Sequence, residues 1–317
     1  MENTKEKLIE AATNLGKGIE LNRIDNEMRN IKCYLCGRKV QATIQNGVRH
    51  GSMFKIKKCF NCGLVFLYPV PDENQLNDYY RNKYRKDYCD PPAEERFYFD
   101  IPEAKLRLKR IKNELTKKTK LLEIGCGTGA FLKTVSPYVN NVFGIEPDDE
   151  SRQWITEKLN FDVVSDIETL NKGEKFDMVV MFHVLEHLPD PVNFLKKLKG
   201  IMKKRAKLII EVPNVNDALI TLYQVKEFCK FYYQRAHLYY FSNHTLKKVL
   251  KKAGFNNFKV NGIQRYDFSN HIRWMLTGKP GGNGYYNSVF GKKFNDEYAR
   301  ILIEKGYADT LWATVIA

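Results

Sequence analysis

From Lys120 onward, short apolar runs alternate with helix-length amphipathic stretches, a rhythm that predicts a parallel sheet covered on both faces. The strand runs are KLLEIG (120–125), VFGIE (142–146), FDVVSD (161–166), FDMVVMF (176–182), KLIIEV (207–212), FKVNGI (258–263) and DTLWATVI (309–316). The fold class is therefore α/β, doubly wound, with additions. Two of these break the alternation: residues 213–245, and residues 264–308 with the turn-rich KPGGNG. Open sheets bind ligands beyond the C-terminal ends of their strands, so both insertions are candidates for an acceptor site.

Upstream, the pattern is that of smaller units. Residues 1–30 read as a helix or ordered tail on Leu8, Ile9, Ala12 and Leu15. Residues 31–71 hold two cysteine turns, with a hairpin expected around Asn46-Gly47. Residues 72–117 form a connector rich in tyrosine (Tyr79, Tyr80, Tyr84, Tyr88), closing with an amphipathic helix from Glu103 on Ala104, Leu108, Ile111 and Leu115. The sheet domain occupies 118–317.

With 43% hydrophobic residues over 317 positions, the chain has ample core material, which excludes wholesale disorder. No run is long and apolar enough to span a bilayer, and the N-terminus lacks a signal-like apolar region, so a cytoplasmic location is the expectation. The formal charge of +15 is concentrated in 105–120 and 196–207. Such a field attracts a polyanion, an acidic lipid surface or a phosphorylated small substrate. Solvated helix faces are the plainer explanation, and nucleic acid is left as an alternative partner that the charge does not require.

Cys33, Cys36, Cys59 and Cys62 form two CxxC pairs, each followed by a glycine (Gly37, Gly63). Four thiolates at this spacing predict a tetrahedral structural zinc with no open coordination position. Its work is to hold a segment too small for a core of its own.

The densest chemical signal is LLEIGCGTGAFLK (121–133), where a strand ends in three glycines and gives way to a helix. Gly125 and Gly127 permit a tight turn and close approach of backbone to a ligand, and Gly129 permits close packing. Glu146, ending the next strand, is placed to accept from ribose hydroxyls. Spacing alone leaves a dinucleotide open, because Gly125, Gly127 and Ala130 also satisfy its pattern.

The series LLEIGCGTG, FGIEPDD, VSDIETL and FDMVVMFHVLEHLPDP resembles the class I S-adenosylmethionine-dependent methyltransferases across 118–215. The resemblance implies a Rossmann-like, seven-stranded sheet and S-adenosylmethionine as cofactor. It also implies that Glu123, Gly125, Cys126, Gly127 and Gly129 lie against the methionine part, Glu146 on the ribose, and Pro147, Asp166 and Ile167 near the adenine. Phe182 and His183 then open the methyl-transfer channel. His183 and His187 flank Glu186 as HxxEH, not as the HExxH of zinc proteases.

Over about 31–263, the cysteine pairs, the tyrosine connector, the glycine loop and YYQRAHLYYFS (232–242) resemble the bacterial deoxysugar C-methyltransferases. That likeness implies His237 as base, with Tyr79 or Tyr80 standing for the family's connector tyrosine; the class I resemblance puts His183 near the donor methyl. The family has a Glu-His pair where this chain has Ala236-His237. Loss of that acid favours a hydroxyl acceptor, since abstracting a carbon-bound proton asks more of a base. The expected substrate is a sugar nucleotide or saccharide precursor, an anionic one included; another metabolite or RNA is the alternative. Tyr232, Tyr233, Tyr239, Tyr240 and Phe241 either stack on that acceptor or pack the insertion. Arg265, His271 and Arg273 either bind its phosphate or carboxylate or stay solvated.

Overall fold

The computed structural model describes residues 31–317 except 40, 73, 77, 78, 80–83, 85, 86, 88–90 and 172. The helix or tail expected over 1–30, and Tyr80 and Tyr88 of the connector, lie outside the described residues.

Seven strands form the main sheet: β4 (Lys120–Ile124), β5 (Asn141–Ile145), β6 (Asp162–Val164), β7 (Phe176–Phe182), β8 (Met202–Pro213), β10 (Asn257–Ile263) and β11 (Thr310–Ile316). Their order is β10-β11-β8-β7-β4-β5-β6. β4 to β8 run parallel, while β11 is antiparallel to both β8 and β10, so the sheet is mixed rather than uniformly parallel. Chain order reverses on either side of β4, which sets the topological switch between β4 and β7.

Alternate residues of each strand feed opposite cores, which explains the continuous apolar runs. Leu121, Met178, Val180 and Ile209 face Leu108 and Ile111 of α1 (Ala93–Ile111) and Phe131 and Val135 of α2 (Ala130–Val135). Leu122, Val179, Leu208 and Ile210 share the other core with Leu195 and Leu198 of α4 (Pro191–Gly200), which follows α3 (Asp149–Trp154). The helix α1 begins ten positions before the expected Glu103 and runs through Pro102. Pro102 is exposed, so water can satisfy the backbone group that its ring frees.

The cysteine module is an antiparallel sheet of β1 (Gln41–Val48), β2 (Gly51–Cys59) and β3 (Val65–Tyr68). Its hairpin turns at Arg49-His50, with His50 at φ 62°, rather than at Asn46-Gly47. Gly47 instead occupies an irregularity in β1, where the left-handed backbone glycine allows serves a bulge. The first insertion carries α5 (Ala218–Thr221), α6 (Lys226–Tyr232) and β9 (Tyr239–Tyr240), and β9 pairs with β3 as the module's fourth strand. Residues of the module and of α7 (Asn243–Lys252) share one core. The second insertion is α8 (Phe268–Thr277) and α9 (Lys292–Lys305). Among the described residues, no helix is long and apolar enough to cross a membrane.

Candidate active site

The corner after β4 is built from residues that only glycine suits. Gly125, Gly127 and Gly129 have φ of 67°, 54° and 77°. A Cβ on Gly125 would stand 2.5 Å from Val184 Cγ2, so the turn after β7 presses directly on this corner. Glu146, at the end of β5, accepts from the Gly127 amide at 2.8 Å and the Asp148 amide at 3.0 Å. Its carboxylate and the glycine corner thus form one unit at the switch point.

Glu123 is buried in β4, and burial raises its pKa well above the usual range against the pull of Arg107. Cys126 is buried beside Gly144. Pro147 and Asp166 are exposed; Asp166 caps the short turn Ile167–Thr169, and Ile167 packs on the core. Phe182 lies among core aromatics, 4.9 Å from Phe131 and 5.8 Å from Trp312, with the Arg107 guanidinium over its face.

His183 follows β7 with φ 56°, a left-handed conformation rare for a residue with a side chain. Its amide is tied to the Glu211 carbonyl at 2.8 Å. Nδ1 stands 3.3 Å from Glu186 Oε1 and Nε2 3.7 Å from Glu211 Oε1. Arg265 Nη1 reaches Nε2 at 3.2 Å, and a guanidinium only donates. Burial lowers the His183 pKa, but Glu186 and Glu211 outweigh it and the net shift is upward. Taking a proton therefore costs the ring the Arg265 hydrogen bond and gains it two carboxylates.

Glu211 is held from both sides, by Arg107 Nε at 2.7 Å and by His183. Burial alone would raise its pKa; the His183 contact and the two arginines bring it down to about 2. Arg265 is itself gripped by Asp309, at 2.6 Å from its amide and 2.7 Å from Nε. It is neither a solvated cation nor an unpaired phosphate ligand. His271 is buried against Tyr298, and Arg273 donates to the Pro280 carbonyl.

His237 is buried, its ring 4.8 Å from that of His187 and 2.7 Å through Nε2 from Gln234 Nε2. Burial and the neighbouring His187 hold its pKa well below the ordinary value, so the ring is neutral and a weak proton acceptor. Tyr79 is buried beneath the Arg235 guanidinium, 4.3 Å from its ring. Tyr233, Tyr239, Tyr240 and Phe241 are buried too: Tyr240 donates to the Gln234 carbonyl and Tyr239 to that of Pro189. Of the two uses open to these aromatics, packing is the one they serve.

The sulfurs of Cys33, Cys36, Cys59 and Cys62 converge within 4.8 Å of one another, a cluster capable of holding a metal. The Cys33–Cys62 and Cys36–Cys59 separations are both 3.6 Å, against about 3.8 Å for the edge of a tetrahedron with 2.3 Å metal–sulfur bonds. Each pair turns alike, the amide of Gly37 bonding the Cys33 carbonyl and that of Gly63 the Cys59 carbonyl.

A family described as a methyltransferase domain matches residues 94–260, more than half of the chain. The chain belongs to this family. It carries a methyltransferase domain. A ubiquinone biosynthesis O-methyltransferase of Coxiella burnetii is 29% identical over 119 residues, 35% of this chain and 51% of that relative. An uncharacterized protein of Methanocaldococcus jannaschii is 30% identical over 167 residues, 51% of this chain and 78% of the relative. A solved methyltransferase from Archaeoglobus fulgidus has a TM-score of 0.49 at 23% identity, covering 71% of this chain and 97% of that one. The chain spans about half the length of the ubiquinone-biosynthesis relatives it matches.

Three residues of the site carry no role in the sequence reading, Glu211, Arg107 and Asp309, whereas Glu186 falls in the channel-lining segment that the methyltransferase resemblance implies. The signal for Glu211 is an acid inside the otherwise apolar run KLIIEV, a position that burial makes costly unless it is paired.

Proposed function

We propose that this methyltransferase moves a methyl group to a hydroxyl oxygen of a small polar acceptor, with saccharides and sugar nucleotides as the acceptor class, and that His183 receives the hydroxyl proton. The observation that carries this reading is the placement of His183. It is strained in backbone, partly exposed, next to the glycine corner, and set between two buried carboxylates. In this assignment Glu123, Gly125, Cys126, Gly127 and Gly129 hold the methionine end of the cofactor and Glu146 its ribose. Pro147, Asp166 and Ile167 stand near the adenine, and the cofactor supplies an electrophilic methyl on sulfonium sulfur. Orientation of the hydroxyl and removal of its proton are left to the protein.

An oxygen acceptor agrees with the O-methyltransferase named in the Coxiella relative. A saccharide acceptor rests on the likeness of 31–263 to the deoxysugar enzymes, whose base position is taken here by the neutral His237. Zinc is the metal proposed for the four cysteines. It fits by donor type and sulfur spacing, and its role there is to fix the module, not to touch substrate.

The test is methyl transfer from labelled S-adenosylmethionine to a panel of nucleotide sugars and free sugars. His183→Gln should lower kcat by about 100-fold or more while leaving cofactor affinity within about twofold. An unchanged kcat removes His183 from the chemistry. Transfer to a nitrogen or carbon acceptor alone removes the hydroxyl.

A further inference from the structure

Beside His183 lies a second cluster of ligand-type side chains. Glu186, His187 and His237 each offer one ligand atom, and these atoms lie within 4.8 Å of one another. Glu186 is 1% exposed, and neither carboxylate oxygen has a hydrogen-bond partner among the described residues. The His183 Nδ1 stands 3.3 Å from Oε1, a contact that leaves Oε2 to be completed. A buried carboxylate left unsatisfied is costly unless something absent from the protein completes it.

The backbone holds the two segments together. The Leu238 amide donates to the Glu186 carbonyl at 2.8 Å, and Tyr239 Oη to the Pro189 carbonyl at 3.0 Å. One nitrogen of His187 is engaged by the Ala236 carbonyl, the arrangement that orients the other nitrogen of a metal-bound imidazole. Arg49 Nη2 donates to Gln234 Oε1 at 2.6 Å, which turns the Gln234 amide nitrogen toward His237. The Gln234 amide nitrogen stands 2.7 Å from Nε2 and 3.2 Å from Nδ1 of His237, so it holds the ring in place beside Glu186 and His187.

We propose that Glu186, His187 and His237 form a second metal site, distinct from the four cysteines, that takes one divalent cation such as Mn2+, Fe2+ or Zn2+ and keeps positions open for the acceptor. Two imidazoles and one carboxylate suit these ions and leave sites free, unlike the closed cysteine cluster. Ligand bonds of about 2.0 to 2.2 Å place neighbouring ligand atoms about 3 to 3.6 Å apart, so the three side chains draw together as the ion binds. The inference rests on the hydroxyl-methylation reading for its purpose. The acceptor oxygen binds the cation as a Lewis acid, its proton passes to His183, and an O–C bond forms as the methyl C–S bond breaks, releasing S-adenosylhomocysteine.

The experiment titrates the zinc-loaded protein with Mn2+, an ion the thiolate cluster does not favour, and reads bound ion by electron paramagnetic resonance. A parallel arm counts zinc after saturation with Zn2+. We expect one ion per chain beyond the cysteine complement, with affinity lowered at least tenfold in Glu186→Gln and, separately, in His237→Gln. Melting curves and S-adenosylmethionine affinity identify any variant that has merely misfolded, and the wild-type stoichiometry stands without the variants. No additional Mn2+ or Zn2+ on the wild-type protein, or equal binding to both folded variants, overturns the proposal. Because the readout is binding, the site survives even if the acceptor is not a hydroxyl.

Discussion

At the scale of single residues, the site is shaped by burying charge and then deciding which charges are paired. Asp217 accepts from the Leu219 amide at 2.6 Å, but the buried carboxyl also faces Asp309. Burial first, and Asp309 second, raise its pKa from 3.8 to about 7. Between those values the unfolded chain has released a proton that the folded chain still holds. Its contribution to stability therefore falls as pH rises from about 4 to about 7 and is level above that, an effect of at most about 4 kcal/mol. Asp217→Asn keeps the amide acceptor and cannot ionise. Urea unfolding at pH 5 and pH 8 should show a smaller loss of stability between the two for the variant than for the wild type. Equal pH dependence in the two proteins would show that Asp217 ionises normally.

Among elements, α1 is tied to the sheet through Arg107, which pairs with Glu211 of β8 and covers the ring of Phe182 at the end of β7. Arg107→Met keeps most of the packing and removes the charge, leaving Glu211 buried with less compensation. We expect a loss of about 3 kcal/mol by denaturant titration, and recovery of most of it in the double variant with Glu211→Gln. Additive losses would mean that the pair is not coupled. This ion pair also shows what sequence conveys and what it hides. The strands, the glycine corner and the cysteine pairs are legible because each depends on local spacing. Arg107 is invisible within a basic run of the kind that usually faces solvent, and its partner lies over a hundred positions away. The start of α1 was lost for a related reason: Pro102 marks a helix boundary locally, but the exposed face on which it sits tolerates it. The reach of β9 into the cysteine module was likewise unreadable, since two residues carry no period.

For the whole molecule, the cysteine module is a clamp on the segment that bears His237. The Arg49 amide bonds the Tyr233 carbonyl at 2.8 Å, the Arg235 amide returns to the Arg49 carbonyl at 3.1 Å, and the Leu67 amide bonds Leu238 at 2.9 Å. Tyr34, between the first two cysteines, accepts from the Val192 amide at 2.9 Å at the start of α4 and donates to Asp190. A metal held by the four cysteines would therefore fix the hairpin, and the hairpin is bonded to 233–240, which bears on the turn after β7. The main strands keep their own ladders and core, so removing this metal should loosen the clamp without melting the sheet. After extraction with a strong chelator under reducing conditions, hydrogen exchange should rise across 41–68 and 233–240 and stay protected in β4, β5 and β7. Methyl transfer should fall at least tenfold while cofactor affinity changes little, because the glycine corner and Glu146, proposed above to hold the cofactor, belong to the part left intact. Refilling with zinc alone should restore exchange protection, and with it the activity, unless the chelator also emptied the Glu186 cluster. In that case protection returns first and turnover only after a second ion is added. Unchanged exchange at 233–240 after verified metal loss would cut the link between module and site.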